Sequence, residues 1–211
     1  MGASASIPEN LLSRGFSKDQ LPPELRAILD FDKMPKNDDG EVLLKTLIAG
    51  LENKKDVFLS HEWGSDQGVH RFVSRFNKCL QERGARTWID DAEMEGDINE
   101  KMSRGIDDSR VVIAFVTKGY IIKVNSDNAN DNCKKEFNYA VNRETSAKML
   151  LVVLDAEVGD TKKWDGPFGL SMGNQLYVSF FDHSEGALNA KADEILAANR
   201  SDRLEGRKLC N

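Results

Sequence analysis

From Val111 to Val116 the chain reads Val-Val-Ile-Ala-Phe-Val, apolar at every position. A strand with one wet face alternates apolar and polar residues. A strand that is apolar throughout must be covered on both faces, as in a parallel sheet clad by helices. Val57–Leu59, Thr87–Ile89, Met149–Leu154 and Leu176–Phe180 are shorter runs on the same plan. Between them, apolar residues recur at helical spacing. One set is Phe72, Phe76, Cys79 and Leu80, stopped by Gly84; another is Ile98, Met102 and Ile106; a third is Phe137, Ala140 and Val141, beside Glu136. An amphipathic stretch from Ala187 to Ala198 closes the pattern. With right-handed crossovers, the expectation is an α/β, flavodoxin-like, doubly wound sheet of five parallel strands with helices on both faces. Ligands of such folds bind beyond the carboxyl ends of the strands, at the topological switch point. That rule gathers Ser60–Gly64, Asp90–Gly96 and the loop after Thr117 around one cleft.

The pattern divides the chain into an extension over 1–50, a main domain over 51–182, and a C-terminal helix and tail over 183–211. In the extension, Pro22-Pro23-Glu24 fits a helix start, with proline in the first turn. Lys36–Gly40 is a turn signal, and Val42, Leu43, Leu47, Ile48 and Leu51 stand at helical spacing, so one or two helices are expected. The net charge of −6 argues against a nucleic-acid partner, since a polyphosphate needs lysine and arginine in excess. No apolar run approaches the roughly 18 residues of a membrane span. The N-terminus lacks a signal-peptide apolar core. Cys79, Cys133 and Cys210 are odd in number and far apart, which reads as reduced thiols in the cytoplasm. Met1-Gly2-Ala3-Ser4-Ala5-Ser6 fits a myristoylation signal on Gly2. One such chain binds membranes only marginally, and no cysteine or basic cluster lies nearby to reinforce it. The expected membrane contact is therefore weak and reversible.

Five words then stand in order: Asp56–His61 (DVFLSH), Trp88–Asp91 (WIDD), Met94 to Ile98, Gly105–Ile106 with Ser109 and Tyr120, and Cys133–Phe137 (CKKEF). From Asp56 to about Asp182 they resemble a TIR domain, the Toll/interleukin-1 receptor and resistance-protein module, with the last word closest to the plant-type Cys-x-x-Glu helix. His61 stands where that family commonly has an aromatic residue. Glu95-Gly96 stands where Toll-type loops carry Pro-Gly, which speaks against Toll adaptor partners.

The resemblance implies a signalling protein. Its enzymatic branch cleaves NAD+ at the nicotinamide–ribose bond, with NAD+ as substrate and no resident cofactor. Glu136 matches the catalytic glutamate of that branch. One carboxylate suffices, because nicotinamide leaves as a neutral molecule and the transition state resembles an oxocarbenium ion. Trp63 stands just past the first strand, where its indole could stack on a base. His61, Glu62, Gly64 and Met94 are candidate substrate contacts beside it. His61, Glu62 and His70 have no recognised metal-ligand spacing, so no metal is expected. Neither a histidine nor a basic pair is fixed beside Cys133 by sequence, which leaves it a packing residue.

The stretch Asp90–Asp97 carries Asp90, Asp91, Glu93, Glu95 and Asp97. Asp97 with Glu100 resembles a capping box. The remaining acids would repel a pyrophosphate. In TIR domains this loop inserts into a neighbouring subunit, and Asp91, Glu93, Met94, Glu95 and Gly96 are the candidate assembly contacts, with self-association or other TIR domains as partners. Two readings stay open: an NAD+ hydrolase, and a non-catalytic interaction module. A response-regulator-like domain is disfavoured because Phe115-Val116-Thr117 occupies the strand end where a phosphoacceptor aspartate would stand.

Overall fold

The computed structural model describes residues 7–89, 97–143 and 149–205. They form two compact units, divided between Lys54 and Lys55.

The first unit has its own small core. It contains helix α1 (Glu9–Leu12), strand β1 (Gly15–Phe16), helix α2 (Pro23–Ile28), strand β2 (Val42–Leu43) and helix α3 (Leu44–Asn53). Pro23 opens α2 as expected. The turn at Gly40, at φ 77°, is held by the Asn37 side chain, which accepts from the Asp39 and Glu41 amides. Val42 and Leu43 carry the helical spacing but lie in β2, antiparallel to β1. The helix starts at Leu44, whose amide donates to the Arg14 carbonyl. Leu21, Leu29, Phe31, Val42 and Leu47 are buried together.

In the second unit the strands β3 (Lys55–His61), β4 (Thr87–Ile89), β5 (Ser109–Val116), β6 (Met149–Val153) and β7 (Tyr177–Ser179) form one parallel sheet. Its order is β4-β3-β5-β6-β7. The first strand of the unit therefore lies inside the sheet, and the chain reverses direction across the β3/β5 boundary, which is the switch point of the fold.

Strand alternation sorts the core into two layers. Val57, Leu59, Ile113, Phe115 and Val152 face α4 (Gly68–Glu82) and α9 (Glu185–Glu205) through Phe72, Phe76, Leu80, Leu188 and Ile195. Ala114, Val116, Leu151 and Val153 face the other way. They meet Tyr120, Ile121 and Val124 of α6 (Lys118–Asn125), Phe137 of α7 (Asn132–Asn142) and Phe168 of α8 (Gly166–Met172). Phe58 and Val112, on that same face, pack with Ile106 of α5 (Ile98–Asp108) and Ala140. Both layers bury apolar residues, as the unbroken apolar run of β5 requires.

Three differences from the sequence reading bear on the site. The segment after Thr117 is helix α6, not a loop. The helix α8 had no counterpart in the reading. The C-terminal helix runs longer than 187–198, starting at Glu185 and extending to Glu205.

Candidate active site

Ser60 is the penultimate residue of the inner strand β3, on the face that carries Phe58, so alternation aims it at α6 and α7. On α7, Asp131 caps the helix by accepting from the Lys134 amide, which sets the register. That register turns Cys133, Glu136, Phe137 and Ala140 inward. Glu136 is consequently 4% exposed. The Ser60 hydroxyl donates to Glu136 Oε2 at 2.6 Å, and Ser60 Oγ lies 3.0 Å from the hydroxyl of Tyr120. Tyr120 is fully buried on α6, and burial holds its phenol well above the usual range, so it stays protonated.

Glu62 is the second buried carboxylate of this end of the sheet. Its Oε2 accepts from the Gly64 amide at 2.5 Å and its Oε1 from the Thr117 hydroxyl at 3.1 Å. Thr117 Oγ1 in turn accepts from the Tyr120 amide and caps α6. Glu62 thus ties the end of β3 to the start of α6, where the helix dipole favours negative charge. A side chain at Gly119 would lie 2.8 Å from Glu62 Oε1, so a larger residue there must displace that carboxylate. Gly64, at φ 75°, makes the tight turn that brings its amide back to Glu62. That amide is engaged within the protein rather than presented to a phosphate.

His61 and His70 form a ring pair, with His61 Nε2 2.8 Å from His70 Nδ1. His61 Nδ1 lies 3.3 Å from the Leu59 carbonyl, which only accepts, so the proton belongs on Nδ1 and His70 donates to Nε2. Burial pushes the His61 imidazole down to about 4, with the neighbouring His70 and Lys123 adding to the effect. It is neutral near pH 7. Trp63 is half-buried and leans on His70, with ring centroids 4.7 Å apart. The three rings make a row at the carboxyl end of β3. Cys133 is buried, and its thiol donates to the His61 carbonyl at 3.4 Å. Burial first, and Glu136 second, push that thiol far above the usual range, so it is no nucleophile.

The structure therefore brings Glu136, His61, Glu62, Trp63 and Gly64 to the carboxyl end of β3, beside the switch point. Met94 and the assembly candidates Asp91, Glu93, Glu95 and Gly96 lie outside the described residues, as does Gly2. Asp97 is the N-cap of α5, accepting from the Asn99 and Glu100 amides. Glu100 pairs with Arg104. The sequence places Ser60 and the segment after Thr117 at the cleft and includes Tyr120 and His70 among its notable residues, but it assigns none of Ser60, Thr117, Tyr120 and His70 the hydrogen bonds seen here. For Ser60 a signal existed: it shares the inward face of β3 with Phe58. The roles of Thr117 and Tyr120 depend on α6, whose existence had been missed.

Residues 57–196 match the model of the family described as TIR domain. No curated protein matches the chain. Among solved structures, the TIR domains of the activated Roq1 resistosome directly recognising the pathogen effector XopQ are 18% identical. That match covers 69% of this chain and 99% of the other, at a TM-score of 0.48. A prokaryotic SEFIR domain is also 18% identical over 69% of this chain and 98% of its own, at a TM-score of 0.49.

Proposed function

Because the chain belongs to the TIR-domain family, a signalling family, we propose that it hydrolyses NAD+ at the nicotinamide–ribose bond with Glu136 as the catalytic carboxylate. One observation carries this reading: a carboxylate buried to 4% exposure, on a helix beside the switch point, held by a serine from the end of the inner strand. Burying a carboxylate is costly, and such groups concentrate where charge is used. The C1′–N bond breaks with its electron pair going to the pyridinium nitrogen, so nicotinamide departs neutral. The ribosyl cation that develops is stabilised by Glu136. Water adds at C1′ and loses a proton, giving ADP-ribose; attack by an adenine nitrogen instead gives a cyclic product. Trp63 offers its ring to a base of the dinucleotide.

The test is nicotinamide release from NAD+ by the full chain at high concentration, followed by chromatography. Glu136→Ala abolishes release, and Glu136→Gln lowers it by about 100-fold or more, the typical loss when one preorganised charge is removed from a transition state. Release that survives Glu136→Ala overturns the assignment.

The scaffold reading keeps one specific support, the acid density of Asp90–Asp97, of which capping absorbs only Asp97. The two readings join if assembly through this loop activates the enzyme. The protein works in the cytoplasm and touches membranes weakly through a myristoyl group on Gly2. Intact mass after co-expression with an N-myristoyltransferase checks that modification, and an unmodified N-terminus would exclude it.

A further inference from the structure

We propose that Ser60 and Tyr120 are positioning residues that fix the Glu136 carboxylate through a one-way hydrogen-bond relay, an inference that rests on Glu136 being the catalytic group. An ionised carboxylate only accepts, so the Ser60 proton points at Glu136 Oε2, 2.6 Å away. A serine hydroxyl has one proton. Its oxygen must then accept from its other neighbour, and the Tyr120 hydroxyl, 3.0 Å away, supplies that proton. The order is Tyr120 to Ser60 to Glu136, with no group able to turn round while Glu136 is charged.

Each member is held by a different element. Ser60 belongs to the inner strand, paired to β5 through the Ser60–Ala114 register. Tyr120 is set by the start of α6, where its amide donates to Thr117 Oγ1, and its ring packs edge-on against Phe168 at 6.2 Å. Glu136 sits on α7 in the register fixed by Asp131. All three relay residues are at most 4% exposed, so water does not compete for the bonds. Neither Ser60 nor Tyr120 is needed at the reacting bond. Their effect is on where the charge stands when the ribosyl cation forms, and displacement of about 1 Å can cost 10²-fold in rate.

A rate cycle on the full chain tests the relay. Ser60→Ala lowers kcat for nicotinamide release by about 10- to 100-fold with KM for NAD+ changed less than about threefold. Tyr120→Phe, which removes a single oxygen, lowers kcat by about three- to tenfold. The double variant matches Ser60→Ala alone, because Tyr120 acts only through Ser60. Ser60→Thr, which keeps the hydroxyl, recovers most of the rate. Losses that multiply in the double variant, a change confined to KM, or folded variants with the rate unchanged overturn the relay while leaving the role of Glu136 intact. If the unsubstituted protein releases no nicotinamide, the catalytic reading itself fails, and a crystal structure of Ser60→Ala then decides positioning. A Glu136 carboxylate displaced or split over rotamers supports the relay, and one unmoved overturns it.

Discussion

His61 occupies a place where an imidazole is neutral by construction. It is 4% exposed, donates to a strand carbonyl and accepts from His70, and protonation at Nε2 would set it against both His70 and the nearby Lys123. The consequence for stability has a definite sign. Above the ordinary value of 6.5 the residue is neutral in both native and unfolded chains and contributes nothing. As the pH falls from 6.5 to about 4, the unfolded chain takes up a proton that the native protein refuses. Stability therefore declines across that window, by about 3 kcal/mol at most, and the contribution levels off below it. Urea unfolding followed between pH 7 and pH 4 should show this acid-side slope, and His61→Phe should flatten it; an unaltered slope would place the titration elsewhere. The sequence announced this residue through its strand-end position, where the family commonly has an aromatic. Its partner His70 lies in the first turn of α4, and the tight path through Gly64 and Gln67, which adopts φ 59°, brings the two rings together. That loop geometry has no periodic signature.

At the scale of elements, α6 is the instructive case. The sequence reading places a loop after Thr117, and Lys118–Asn125 does carry Ile121, Ile122 and Val124, β-branched residues that depress helix propensity. Packing overrides that preference: Tyr120, Ile121 and Val124 are buried against the sheet, while Ile122 is turned to solvent. The N-cap was legible in Thr117, three residues before the Tyr120 amide it accepts from. Thr117→Ala removes that cap and also the donor to Glu62 Oε1. We expect a loss of about 1–3 kcal/mol in unfolding free energy, larger than for a cap alone. Thr117→Ser should retain most of it. By contrast α5 was legible from its apolar spacing and its Asp97 cap. What the sequence could not reveal there is the role of Gly105. A side chain at that position would meet the Trp88 indole at 2.8 Å, and Trp88 is itself stacked on Phe58 at 4.3 Å. Gly105→Ala should therefore destabilise by about 1–3 kcal/mol, against the gain that alanine usually brings to a helix, measured by thermal or urea unfolding.

For the whole molecule, the parallel doubly wound sheet was readable because strands apolar on both faces need helices on both sides, whereas the order β4-β3-β5-β6-β7 came from the structure. The site is another matter. Glu136 was found through its word, but Ser60 and Tyr120 come from two other elements, β3 and α6, and their convergence exists only once β3 lies inside the sheet. The same placement bears on assembly. The chain carries a net charge of −6, and five acids crowd into Asp90–Asp97. A contact made by that loop on a second copy must find a basic surface against an overall repulsion, so it depends on salt in a particular way. Raising ionic strength screens both terms: at 0.1 M a Debye length of about 10 Å already damps the whole-molecule repulsion, and at 1 M, where it is about 3 Å, the attraction between facing charges is weakened as well. Nicotinamide release per molecule should rise with protein concentration at low salt and lose that dependence in high salt. Reversing Glu93 and Glu95 to lysine should shift the light-scattering distribution toward monomer under the low-salt condition and lower the activity at high concentration, with Glu136 untouched. An unchanged distribution would remove the loop from assembly. Activity independent of concentration would show that the site is complete within one copy.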